Sequence, residues 1–233
     1  MISFTLHFKV LFMSVSQQPI DTLKDIKNMM EKSSRFISLS GWSGIAAGFC
    51  ALTGAFFANR IIHSGNHTID GRSYDGRIGY ADKDNISLQD FMGNRLFIIA
   101  LLTLIAAFVL AFFFTYLRSK KKNVAIWSVA SRRLMLNVSI PMIAGGIYML
   151  KLIESGMYGL IAPGCLIFYG LALLNGSKYT LGEIRYLGYC EIILGLINCW
   201  YPGLGIYFWT LGFGFLHIIY GIVMWNRYER NAA

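Results

Sequence analysis

Residues 96–117 read LFIIALLTLIAAFVLAFFFTYL, an unbroken apolar run that carries no charged side chain and is closed by Arg118-Ser119-Lys120-Lys121-Lys122. At about 1.5 Å per residue such a run is long enough to cross the roughly 30 Å hydrocarbon core of a bilayer, and the basic cluster stops it at a headgroup layer. Its phenylalanines fall on all sides of a helix, so it faces lipid more than protein.

Working outward from it, five more runs have the same character: Phe36 to Ala58, Leu134 to Leu152, Met157 to Leu174, Tyr186 to Tyr201 and Leu204 to Trp225. The whole chain agrees, with 55% hydrophobic and only 14% charged residues among 233 and a mean hydropathy of +0.52. Ordinary soluble domains carry about 25% charge. The expected fold is an all-α membrane protein, a six-transmembrane-helix bundle.

Charge placement sets the orientation. With the N-terminus in the cytoplasm, fifteen of the 21 lysines and arginines fall on the inner side, and Arg60, Arg72, Arg77, Lys83, Arg95 and Lys151 on the outer. Positive residues concentrate on the cytoplasmic side, which predicts both termini inside. The formal charge of +9 is therefore an orientation signal, and it calls for anionic lipid headgroups rather than nucleic acid as the partner. Arg118, Lys120, Lys121, Lys122, Arg132 and Arg133 are the headgroup candidates.

Four segments follow from this topology. Residues 1–35 form a cytoplasmic segment in which Leu23, Ile26 and Met30, continuing to Phe36 at the start of the first span, alternate with charged residues at near-helical spacing, an amphipathic helix for the membrane surface. Met13 reads as an alternative start, and no cleavable signal peptide is evident. Residues 36–117 form a first hairpin with an outer loop over 59–95; residues 118–133 form a basic interfacial segment; residues 134–233 hold the last four spans. In those four spans Ile143-Ala144-Gly145-Gly146-Ile147 matches Ile193-Leu194-Gly195-Leu196-Ile197, and Tyr169-Gly170 matches Tyr220-Gly221. These matches suggest two hairpins of one orientation, although Gly- and Tyr-rich membrane helices also match by composition alone.

The first span carries Gly41, Gly44, Ala47, Gly48, Ala51 and Gly54. Small residues at three- and four-residue spacing let helix backbones approach, so this face meets another helix. The stretch from Ser33 to Gly48, SSRFISLSGWSGIAAG, resembles the opening of a family of uncharacterised six-span bacterial inner-membrane proteins. That resemblance implies a bacterial inner-membrane home and carries no known activity.

Glu191 is the one acidic residue that falls clearly inside an apolar run, in Gly188-Tyr189-Cys190-Glu191-Ile192-Ile193. A carboxylate in hydrocarbon costs roughly 3 kcal/mol on insertion scales unless it is paired or neutralised. His217 lies at comparable depth on the next span, and the turn Tyr201-Pro202-Gly203 makes the two spans antiparallel neighbours. Glu191 and His217 together have the parts of a proton relay or a pH-responsive switch. A buried hydrogen-bonded pair that only fixes helix register is the plainer alternative. Asn198 and Tyr220 complete the candidate set.

Catalytic and cofactor chemistry is not indicated. The chain shows no phosphate loop, nucleophile elbow, HExxH, CxxC or dinucleotide fingerprint. Cys190 and Cys199 are too far apart along one helix to share an ion, and Asp82-Lys83-Asp84-Asn85 lacks the rest of a calcium loop. Cys50, Cys165, Cys190 and Cys199 all fall within spans, which argues against a disulfide framework. No cofactor and no metal are expected. Two function classes remain: a non-enzymatic membrane binding, scaffold or sensory protein with a protein partner or a second copy of itself, or a small-solute or proton-linked transporter or channel using Glu191 and His217.

Overall fold

The computed structural model describes residues 40–63, 68–69, 72–73, 94–121 and 127–230. The expected amphipathic segment before residue 36, Met13, the Asp82–Asn85 stretch and Lys122 lie outside the described residues. What is described is helical apart from two paired two-residue strands, β1 (Thr68–Ile69) and β2 (Arg72–Ser73).

The helices are α1 (Gly41–His63), α2 (Arg95–Lys121), α3 (Val129–Glu154), α4 (Ile161–Gly176), α5 (Ile184–Trp200), α6 (Gly205–Trp209) and α7 (His217–Tyr228). A π-helical stretch, Thr210–Leu216, joins α6 to α7, so the three make one continuous rod, the last span. Among the described residues five helical stretches are long and apolar enough to cross a membrane: Gly41–Ile62, Arg95–Lys121, Val129–Glu154, Tyr158–Tyr179 and Pro202–Tyr228. The remaining expected span is α5, whose 17 residues rise about 25 Å, a few ångströms short of the hydrocarbon core.

Several boundaries differ from the sequence reading. α1 runs on past Ala58 to His63, where the Arg60 guanidinium lies 5.1 Å over the Phe56 ring one turn earlier. α3 starts at Val129 rather than Leu134, because Ser128 caps it by accepting from the Ser131 amide at 3.1 Å. Arg132 and Arg133, expected in the basic interfacial segment, thus lie in the first turns of α3.

The helices stand side by side. α2 packs chiefly on α1, α1 on the last span, the last span on α4 and α5, and α3 on α4. None of the most apolar window of α2 is buried, in keeping with its all-round apolar sequence. α3 holds to α4 by a backbone device. Pro141 has no N–H to offer the Asn137 carbonyl four residues back, and the Asn175 side chain of α4 donates to that oxygen instead, at 2.8 Å. Beyond α3, Gly156 at φ 70° turns the chain back.

Glycines set the closest approaches. On α1, Gly41 and Gly44 lie against the backbone at Gly221 and Trp225, and Gly48 against Gly214 and Ile218. A Cβ on Gly221 would stand 2.6 Å from the Ile45 nitrogen and 2.7 Å from the Gly41 oxygen, so this seam is backbone on backbone. Gly170 and Gly188 do the same between α4 and α5.

Candidate functional site

One end of the bundle is tied by two acidic residues. Glu229, just past α7, accepts from the Gly41 amide at 2.6 Å, the Ser40 hydroxyl at 3.1 Å and the Arg118 guanidinium at 2.6 Å. A carboxylate at the start of α1 also meets the positive end of that helix dipole. Glu183 accepts from the Tyr228 hydroxyl at 2.6 Å and pairs with Arg227 at 3.0 Å. The start of α1, the end of α2, the start of α5 and the end of α7 therefore lie together. The Arg118 side chain is 6% exposed and turned to Glu229 rather than outward, unlike the exposed Lys120, Lys121, Arg132 and Arg133.

The central site lies where α4, α5 and the last span meet. Glu191, on α5, is fully buried, and its Oε1 is 3.5 Å from His217 Nδ1. Its carboxyl rests on the last span at Gly212, where a Cβ would stand 2.5 Å from Oε2. With a glycine there the acid has its room, and any larger residue would push the side-chain ends of Glu191 and Leu166 aside. The π-helical stretch ends at Leu216, so His217 is the first residue of α7, and its Nδ1 lies 3.1 Å from the Gly212 carbonyl five residues back. That oxygen can only accept, so Nδ1 carries the hydrogen.

The other ring nitrogen, Nε2, is 2.7 Å from the hydroxyl of Tyr169 on α4. With a neutral imidazole, Tyr169 donates to Nε2; with an imidazolium, the direction reverses. The two sites are close enough to titrate as a unit. Neutral acid with neutral imidazole, and carboxylate with imidazolium, both leave the pocket uncharged overall. Any other state puts a net charge in a sealed apolar site, which is costly by several kcal/mol.

The structure thus brings together Glu191 and His217 as the sequence predicts, and adds Tyr169 and Gly212, which sequence reasoning missed. Tyr169 did offer a signal: a tyrosine in mid-span, away from the interfaces where that residue concentrates. Asn198 is also fully buried but sits seven residues along α5 from Glu191, about 10 Å away by helical rise. Its amide atoms, both Glu191 oxygens and the Tyr220 hydroxyl are buried with no hydrogen-bond partner among the described residues. Beside the histidine, Tyr169, Phe213 and Trp209 form a cluster of mutually tilted rings, with centroids 5.1 Å and 5.3 Å apart.

Among the described residues no three His, Cys, Asp or Glu side chains are grouped to hold a metal ion. Comparison with protein-family models, curated proteins and solved structures finds no match to this chain. The class of protein that the fold defines is a helical membrane protein with a buried acid–imidazole pair. Its particular role rests on the geometry alone.

Proposed function

We propose that the chain is a non-enzymatic sensory protein of the bacterial inner membrane, in which the Glu191–His217 pair is a proton-responsive lock between α5 and the last span. The observation that carries this reading is the sealed pair itself. Glu191 has no exposed surface, and among the described residues its one ionisable neighbour at short range is an imidazole whose charge is set by pH. A change in proton count puts an uncompensated charge between two helices, which separate or rotate to relieve it.

The wider topology in this proposal has six crossings with both termini cytoplasmic, α5 being the short one. Its support is that α1 begins and α7 ends at the same end of the bundle, through Gly41 and Glu229. Exposed Lys120, Lys121, Arg132 and Arg133 at that end suit anionic headgroups. The repeat reading fits Tyr169 and Tyr220, matched in sequence, the first bonded to His217 and the second one turn after it.

Trp209, in ring contact with Phe213 next to His217, is a reporter in place. In a variant retaining only this tryptophan, its fluorescence in liposomes should change with pH in the native background and not in Glu191→Gln. An identical pH response in Glu191→Gln would reject the lock. A second reading, a proton-linked transporter, draws on the unpartnered buried atoms of Asn198 and Tyr220, which a passing solute or water would satisfy. Proton flux into liposomes that Glu191→Gln abolishes would favour it.

A further inference from the structure

Asn198 is the other buried polar side chain of α5, and it stands apart from the acid–imidazole pair. It has no exposed surface, and neither polar atom of its amide has a hydrogen-bond partner among the described residues. Buried amides in folded proteins are paired, with protein or with ordered water.

The register of α5 on α4 shows what the amide faces. Gly188 lies against Gly170, and Gly195 lies against the Pro163 carbonyl, 2.9 Å from where its Cβ would stand, so the two helices run antiparallel. Pro202, beyond the end of α5, lies against Gly159, whose Cβ would stand 3.0 Å from the Pro202 Cβ. Asn198 falls between those two contacts, three residues after Gly195 and four before Pro202, and so stands opposite the turn from Gly159 to Pro163. That turn is short of a donor. Gly159 sits in the 3₁₀ turn Tyr158–Leu160, and its carbonyl points along the helix toward Pro163, which is fully buried and has no N–H to give it. On a third side the amide faces the start of the last span, where a Cβ on Gly205 would stand 4.0 Å from Asn198 Oδ1. Glycines at 159, 195 and 205 keep three side chains out of this corner.

The amide itself selects the occupant. It offers a donor and an acceptor together. A metal cation would serve the oxygen alone and an anion the nitrogen alone, whereas water serves both and passes a hydrogen on to a carbonyl.

We propose that Asn198 holds ordered water at this corner. One molecule takes a hydrogen from Nδ2 and donates to the Gly159 carbonyl, and a second donates to Oδ1 beside Gly205. The bridge clasps the end of α5 to the start of α4. It is the wet counterpart of the direct bond by which Asn175 serves the Asn137 carbonyl that Pro141 leaves without a donor. Water has a short way to come, because Trp200 and Tyr201, the next two residues but one, are exposed, and Tyr201 is about 4.5 Å away by helical rise. The site is independent of the proton lock. It also differs from a transport path, since the Gly195 contact lies between this water and Glu191.

The test uses the full chain in lipid nanodiscs with nitrogen-15 asparagine. The Asn198 side-chain signal, assigned by its absence in Asn198→Ser, should show dipolar contact with water protons. Asn198→Leu keeps the branched shape without the polar atoms, and should lower the ratio of folded to unfolded chain about fivefold in mixed-micelle denaturation, the scale of one net hydrogen bond. In a Pro163→Ala background, where the Gly159 carbonyl regains a backbone donor, the same change should cost only about twofold. An amide without water contact in the native chain, or a leucine variant more stable than the native chain, would overturn the proposal. A leucine effect that stays fivefold without Pro163 would overturn the bridge to Gly159.

Discussion

The last span has two working faces built on opposite rules. Toward α1 it offers Gly214 and Gly221: at Gly221 the helices meet backbone to backbone, and at Gly214 the Leu52 side chain fills the space. Toward α4 and α5 it offers Gly212 and His217, and the space that glycine frees is filled by the Glu191 carboxyl. The same residue type, on one helix, makes a dry seam on one side and seats a polar pair on the other. The lesson is that small residues in a membrane helix mark close approach, and the partner's chemistry decides what the approach is for.

That contrast can be broken most severely on the dry side. Gly221→Leu has no route of relief, because the obstructing atoms are the α1 backbone; we expect loss of folded protein in detergent, read by size-exclusion yield. Next comes the tie at the end of that seam. Glu229→Ala removes the acceptor of Gly41, Ser40 and Arg118 at once. It should lower unfolding free energy by about 3 kcal/mol, the scale for stripping one partner from a largely buried ion pair, in mixed-micelle denaturation. Gly212→Ala sharpens the comparison, since the atoms it meets are side-chain ends, Glu191 Oε2 and Leu166 Cδ2. The expected loss is about 1–2 kcal/mol, as for modest overpacking, with a shift in the pH at which Trp209 responds. An Ala at Gly212 as damaging as Leu at Gly221 would erase the distinction between the faces.

Smaller effects belong to α3, outside both faces. Asn175→Ala should lower stability by about 1 kcal/mol, one hydrogen bond's worth. It should have less effect in a Pro141→Ala background, where the backbone regains its own donor for Asn137. Lys151→Ala breaks only an exposed pair with Glu154 and should stay within about 0.5 kcal/mol.

How much of this was legible in the sequence follows from what each feature depends on. The long helices follow from apolar runs alone, since the bilayer demands length and internal hydrogen bonding and little else. The pairing of Glu191 with His217 follows from depth and a tight turn, both local quantities. Tyr169 was not legible as a partner, because which α4 residue faces the last span depends on helix rotation, and a rotation is set by packing. The π-helical stretch escaped for a related reason: one extra residue per turn leaves no mark on composition, yet it sets the angle at which His217 meets Gly212. Arg118 reads as one more cation in a basic cluster until Glu229, 111 residues away in sequence, is placed beside it.

The tie at Glu229 also bears on how the protein is made. Its carboxylate holds the Gly41 amide, 188 residues earlier in the chain. At about 5–20 residues per second of synthesis, about ten to forty seconds separate the two ends of that bond. During that interval α1 lacks the helix whose backbone covers its glycine seam. A chain that stops before the last span leaves the glycines of α1 without their partner backbone, and one that reaches Glu229 covers them and ties the seam shut.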